Sequence, residues 1–256
     1  MNNQVLTTTQ ENILKIQLNR PEKKNALTLA MYAAIAEGIN QAEADEAVRV
    51  IFITGAGDAF TSGNDIMDFI QAPPLSDDSP VARFLGALTQ ARKPIVAAVN
   101  GLAIGIGTTM LLHCDLVYAA ASARFRLPFV NLALVPEAGS SFLLPRLLGH
   151  QRAAELLLLG DFFDAQTAYT FGLVNAVVED ASLPDMAWQK AQQLAAQPPA
   201  ALRLTKSLLK RATQAAAREA MAEELKRFRA QLQSPEAMEA LQAFMQRRKP
   251  DFSKFS

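Results

Sequence analysis

Residues 134–142 read LVPEAGSSF, and one acidic side chain stands among them: Glu137, preceded by Pro136 and followed by Ala138, Gly139, Ser140 and Ser141. A proline ahead of a small-residue turn that opens a helix holds a carboxylate at the helix mouth. That is a place for a lone general base. Two glycine-containing loops lie earlier in the chain, 61–65 (TSGND) and 100–107 (NGLAIGIG), and both offer backbone N–H groups. A base and two N–H donors suffice to move a proton next to a carbonyl.

Each of these features has a plainer reading beside it. Glu137 also fits a solvated first-turn carboxylate. Gly63-Asn64-Asp65 is either a capping turn with Asp65 as its first-turn acid, or a turn that exposes the Asn64 N–H. Glycines 105 and 107 serve packing, or let a ligand approach the backbone. The three segments taken together favour chemistry.

Other chemistries find little support. Gly55-Ala56-Gly57 follows a strand-like run but has Phe60 where a dinucleotide fingerprint needs glycine, and Gly105-Ile106-Gly107 has Met110 there. There is no Walker A sequence and no GxSxG elbow. The two histidines and one cysteine give no zinc spacing, so no metal site is expected. His113, inside an apolar run, reads as structural, His150 as a helix-end residue, and Cys114 as a small buried hydrophobe.

The surrounding elements alternate. Residues 13–18 read as a strand closed by Asn19-Arg20-Pro21, and Thr28 caps a helix over 29–42. The β-branched run 48–54 and the run 94–99 read as strands buried on both faces. Helices are expected at 81–92, 108–114, 142–148 and 152–159, strands at 116–119 and 173–178, and a short helix from an Asp164 cap to Gly172. Residues 73–80 (PPLSDDSP) read as a loop. From 183 to 246 the pattern is helical, broken near Pro198-Pro199 and Pro235. This predicts an α/β core over residues 1–180 and a helical C-terminal subdomain over 181–256.

Of the 256 residues half are apolar, enough for one large core. Lys plus Arg and Asp plus Glu both number 25, so no global charge attracts nucleic acid or an anionic membrane. The polar start MNNQVLTTTQEN carries no signal-peptide core, and no apolar run approaches the roughly 18 residues of a membrane span. With one cysteine, the composition leads us to expect a cytoplasmic protein that binds neither nucleic acid nor membrane.

The ordered motifs resemble the enoyl-CoA hydratase/isomerase (crotonase) superfamily over nearly the whole chain. They are 19–28 (NRPEKKNALT), 60–65 (FTSGND), 94–107 (PIVAAVNGLAIGIG), Cys114-Asp115, 136–141 (PEAGSS), 160–172 and 247–253 (RRKPDFS). The resemblance implies a spiral of ββα units, a C-terminal helical region that makes trimers or dimers of trimers, and acyl-CoA thioester substrates with no separate cofactor. It implies that the N–H groups of Asn64 and Ile106 hold the thioester oxygen. It places Arg20, Lys23, Lys24, Ala26, Ser62, Asp65 and Ile66 along the CoA. Lys206, Lys210, Arg211 and 247–249 are candidates for phosphate contacts, with a solvated helix face as the plainer reading.

Hydratases of the family use two glutamates. The matching positions here hold Thr109 and Phe129, whereas SGND and PEAGSS resemble the Δ3,Δ2-enoyl-CoA isomerase branch, which uses one glutamate at the position of Glu137. The implied reaction takes a proton from C2 of a 3-enoyl-CoA and returns it to C4. Apolar neighbours such as Phe129, Leu134 and Phe142 would raise the Glu137 pKa. The alternatives are hydration, another acyl-CoA reaction of the same scaffold, or acyl-CoA binding without turnover.

Overall fold

The structure is a computed structural model that describes residues 4–71, 76, 78–246 and 248–255. Residues 73–75 and 77 of the expected loop, and Arg247, lie outside those residues.

The chain opens with a hairpin the sequence reading did not foresee. β1 (Val5–Gln10) pairs antiparallel with β2 (Ile13–Leu18) across Glu11-Asn12, both in the left-handed region at φ 53° and 62°. A two-residue turn with positive φ at both centres matches the twist of its strands. β1 is largely exposed and rich in Thr, so no apolar alternation marks it. The large sheet continues with β3 (Val50–Gly55), β5 (Ile95–Val99), β7 (Leu116–Ala120) and β10 (Ala176–Val178), in the order β1-β2-β3-β5-β7-β10, parallel from β2 onward. β3 and β5 are buried nearly throughout, as parallel strands covered on both faces are.

Three strands of the large sheet are each followed by a three-residue strand of a second sheet: β4 (Ala59–Thr61), β6 (Leu102–Ile104) and β8 (Arg124–Arg126), mutually parallel, with β9 (Phe163–Asp164) antiparallel at the edge. Helices complete each turn. After β2 comes α1 (Leu29–Ala44). After β4 come α2 (Ile66–Gln71) and α3 (Pro80–Gln90), and after β6 comes α4 (Ile106–Thr109). After β8 come α5 (Ser140–Leu148) and α6 (His150–Leu159), with α7 (Ala165–Thr170) after β9. This is a spiral of ββα units. α8 (Leu183–Ala195) lies on β3, β5 and β7, with Trp188 edge-on to Phe52 at 5.3 Å between centroids. The helices α9 (Pro199–Lys210), α10 (Gln214–Leu232) and α11 (Pro235–Met245) follow.

The caps at Thr28 and Asp164 are as expected: each side chain accepts an N–H from its helix's first turn. Two elements are shorter than the sequence suggested. The expected helix at 108–114 is α4 plus a 3-10 turn, Met110–His113, because it must tighten before the chain enters β7. The strand expected from 173 starts only at 176. Leu173 donates its N–H back to Ala168 at the end of α7, and Asn175 borders β7 with both backbone and side chain.

Candidate active site

β4 and β6 are neighbours, so the loops that leave their C-terminal ends emerge side by side, where parallel sheets bind ligands. Glycine is required for the two loops to meet. A Cβ on Gly107 would lie 2.6 Å from Thr61 Cγ2 and 3.0 Å from Thr61 O; one on Gly63, at φ +90°, would lie 2.9 Å from Ile104 O. The first loop is braced by Leu27, whose N–H donates to Gly63 O (2.8 Å) and whose carbonyl accepts from Asp65 N (2.9 Å). That pairing leaves the Asn64 N–H without an acceptor among the described residues. Ile106 heads α4, so its N–H has no intrahelical acceptor either. Two free donors on adjoining loops suit a developing oxyanion. The Tyr32 hydroxyl donates to Asn64 Oδ1 and fixes that side chain from α1.

Both loops open onto a groove of about 860 Å³. Arg20, Lys23, Ala26, Ser62, Asp65 and Ile66 line it, together with Asn64, Ile106, Phe129 and Leu134. Arg20 is held there by an ion pair with Asp65 (2.6 Å) and a bond to Ala26 O (3.1 Å). Partial burial opposes the Asp65 charge, but the bonds from Arg20 and from the N–H groups of Asp68 and Met67 outweigh it and hold its carboxyl below the usual range. Lys24 is not brought to the groove: it is half-exposed and pairs with Asp58 at 2.5 Å. A smaller, mainly apolar cavity of about 210 Å³ shares Asn64, Ile66, Leu132 and Leu134 with the groove and is closed by Phe69, Met238 and Leu241.

Glu137 is not among the residues that line the groove. Its carboxylate accepts a hydrogen bond from the hydroxyl of fully buried Thr109. Ile106 and Thr109 are three residues apart on α4, about 4.5 Å along the axis, so one short helix carries both the free Ile106 N–H and the hydroxyl that meets Glu137. Desolvation pushes the Glu137 pKa up to about 8; the Thr109 bond opposes the rise and the nearby Glu224 carboxylate adds to it. Phe129 and Leu134 face the groove, but Phe142 is engaged elsewhere, under the Arg146 guanidinium at 3.4 Å from the ring centroid.

Two participants were not legible as such. Tyr32 reads as a core residue of α1. Glu224, only 6% exposed, accepts from Gly139 N (2.6 Å) and from Ser141 N (2.8 Å) and Oγ (2.5 Å). Its signal is an acidic residue on the apolar stripe Ala217-Met221-Phe228 of α10.

His113 is structural, as expected. Its Nε2 lies 2.7 Å from Ala138 O, and since a carbonyl only accepts, that nitrogen carries the proton; burial lowers its pKa to about 4 and keeps it neutral. Burial raises the Cys114 thiol to about 12, out of nucleophilic range. His150 sits exposed at the start of α6. Neither Lys206 nor Lys210 presents a free ammonium for phosphate. Lys206 is 5% exposed, pairs with Asp115 (2.7 Å) and donates to Lys93 O, because an ammonium that deep must be paired; Lys210 donates to His113 O. Arg248 is bound by Glu239, while Arg211 and Lys249 are exposed. Among the described residues no cluster of three or more His, Cys, Asp or Glu is placed to hold a metal, and no helix is long and apolar enough to cross a membrane.

Comparison with known proteins shows the family. The family model described as enoyl-CoA hydratase/isomerase matches residues 8–254. Enoyl-CoA delta isomerase 2 of Rattus norvegicus is 35% identical over 250 residues, covering 95% of this chain; the chain spans 64% of that relative's length. The 2,3-dehydroadipyl-CoA hydratase of Escherichia coli is 32% identical over 97% of this chain and 98% of its own. The structure of OdaA from Pseudomonas aeruginosa superposes with a TM-score of 0.93 at 50% identity, covering 95% of this chain and 99% of that one. On the match over residues 8–254 and on these relatives, the chain belongs to the enoyl-CoA hydratase/isomerase (crotonase) family.

Proposed function

We propose that the chain is a Δ3,Δ2-enoyl-CoA isomerase that uses Glu137 as its single base and acid. The thioester oxygen accepts from the N–H groups of Asn64 and Ile106. Glu137 takes a proton from C2 of a 3-enoyl-CoA, the dienolate is held by the two donors, and Glu137 returns the proton to C4. Each such donor contributes about 3–4 kcal/mol to the barrier reduction. Coenzyme A is part of the substrate and no separate cofactor takes part. The CoA lies along Arg20, Lys23, Ala26, Ser62, Asp65 and Ile66. The protein works as a homotrimer or a dimer of trimers, a reading supported by the exposed leucines 204, 208 and 209 on α9.

One observation carries the reading: a single carboxylate with a strongly raised pKa is hydrogen-bonded to Thr109 on the short helix that Ile106 heads, and the neighbouring acids are already engaged. Asp65 is tied to Arg20, Asp68 accepts from Leu29 N at 2.6 Å, and Glu224 accepts from Gly139 and Ser141. Hydration needs one group to activate water and another to protonate C2, and Thr109 and Phe129 supply neither. A protein that only bound acyl-CoA would gain nothing from a desolvated carboxylate next to the thioester.

The test is to add trans-3-hexenoyl-CoA and follow the ultraviolet absorbance of the conjugated 2-enoyl thioester, with chromatography to identify products. Conversion without a 3-hydroxyacyl product is expected. Glu137→Gln should lose turnover and keep ligand binding; turnover at the wild-type rate in that variant would remove Glu137 from the mechanism.

A further inference from the structure

The turn that presents Glu137 is bent into an uncommon shape. Ala138, which is not glycine, sits at φ +57°, and Gly139 follows at +72° as the N-cap of α5. Left-handed backbone at a non-glycine residue persists only when its surroundings hold it. Four hydrogen bonds do so here. Glu137 O accepts from Ser140 N and Oγ (3.1 and 2.6 Å), Ala138 O accepts from His113, and Gly139 N donates to Glu224. Helices α1, α3, α7 and α11 are capped by their own N-cap side chains, Thr28, Ser79, Asp164 and Ser234. The N-cap of α5 is a glycine with no side chain, and its cap comes from a carboxylate 85 residues away.

We infer that Glu224 is a positioning residue for Glu137: from α10 it supplies the cap that α5 lacks and so holds the left-handed turn on which the base is presented. The inference rests on Glu137 being the base. All three donors to Glu224 come from that turn. α10 lies directly on it, since a Cβ at Gly139 would meet Met221 Cγ at 3.2 Å and Ala217 O at 3.5 Å. One turn further along the same face, Phe228 lines the groove and meets Phe69 of α2 edge-on at 6.3 Å. α10 thus places the base and a groove wall through one rigid face. The ionisable groups around the turn are Glu137, Glu224, His113 and Tyr32; Lys206 and Lys210 interact with His113. Glu224 adds to the rise in the Glu137 pKa in the same direction as desolvation, and by less than desolvation or the opposing Thr109 bond.

The test uses Glu224→Gln, which keeps the size but puts an NH₂ where an acceptor is needed. With trans-3-hexenoyl-CoA, kcat should fall about 10- to 100-fold with KM within about threefold. The acid limb of kcat/KM should move to lower pH, because the like charge beside Glu137 is gone. A second readout needs no turnover: the melting-temperature difference between wild type and Glu137→Gln as a function of pH, repeated in the Glu224→Gln background, where the pH at which it opens should fall. That readout stands even if the wild type does not isomerise this substrate, so it separates failure of the inference from failure of the isomerase reading. Ser141→Ala removes only the hydroxyl donor of an exposed residue and keeps the Glu224 carboxylate; it preserves folding and should lower kcat in the same direction at smaller size. Folded Glu224→Gln with wild-type kcat and an unmoved difference curve, or a lower melting temperature alone, would overturn the inference.

Discussion

With a pKa of about 8, Glu137 is protonated in most molecules at pH 7. The base form grows in as pH rises, so kcat/KM should climb with pH up to about 8 and level above it; a flat profile from pH 6 to 9 would contradict the assignment. The same shift bears on stability. The folded pKa lies above the ordinary value of 4.5, so the protonated form is favoured in the fold. That contribution is complete below pH 4.5, declines across 4.5 to 8 and is lost above about 8. Glu137→Gln should therefore match the wild type near pH 4.5 and be more stable above pH 8, by an amount on the order of a few kcal/mol, read as melting temperature against pH. The sequence showed that a lone carboxylate follows Pro136. It did not show that Thr109 would donate to it, because that contact spans 28 residues and the strands β7 and β8.

At the scale of elements, the short parallel pair β4 and β6 decides whether two donors converge. Gly107→Ala places a methyl 2.6 Å from Thr61 Cγ2 and must push the loops apart. We expect kcat to fall about 10²-fold or more while circular dichroism stays native, as loss of an oxyanion donor does; wild-type kcat would show that the hole does not depend on this packing. The long buried runs at β3 and β5 were legible from their β-branched composition, as were the caps at Thr28 and Asp164, because those signals are local. The strands β4, β6 and β8 were not. Three residues carry too little periodicity to read, and their pairing partners lie about 40 and 20 residues away. The ββα spiral is built from these strands, so its repeat is invisible in the sequence.

At the scale of the whole molecule, the C-terminal helices are tied to the core by buried polar contacts. Lys206 on α9 reaches Asp115 and Lys93 O, next to the strands β5 and β7. Lys206→Met leaves the Asp115 carboxylate without its ion partner and should destabilise the fold by about 3 kcal/mol in denaturant unfolding. KM for acyl-CoA should not change; a rise in KM without loss of stability would return Lys206 to the phosphate role. The sequence by itself determined the α/β class and the run of C-terminal helices and pointed to a candidate base and two candidate donor loops, because composition, caps and ordered motifs are written in adjacent residues. Only the tertiary structure decided which cations are spent inside the fold, that Lys24 turns to Asp58, and that Glu224 and His113 pin the turn carrying Glu137. Those outcomes depend on which groups meet after distant segments pack, and on the rule that a buried charge or a bent backbone must find its partner there.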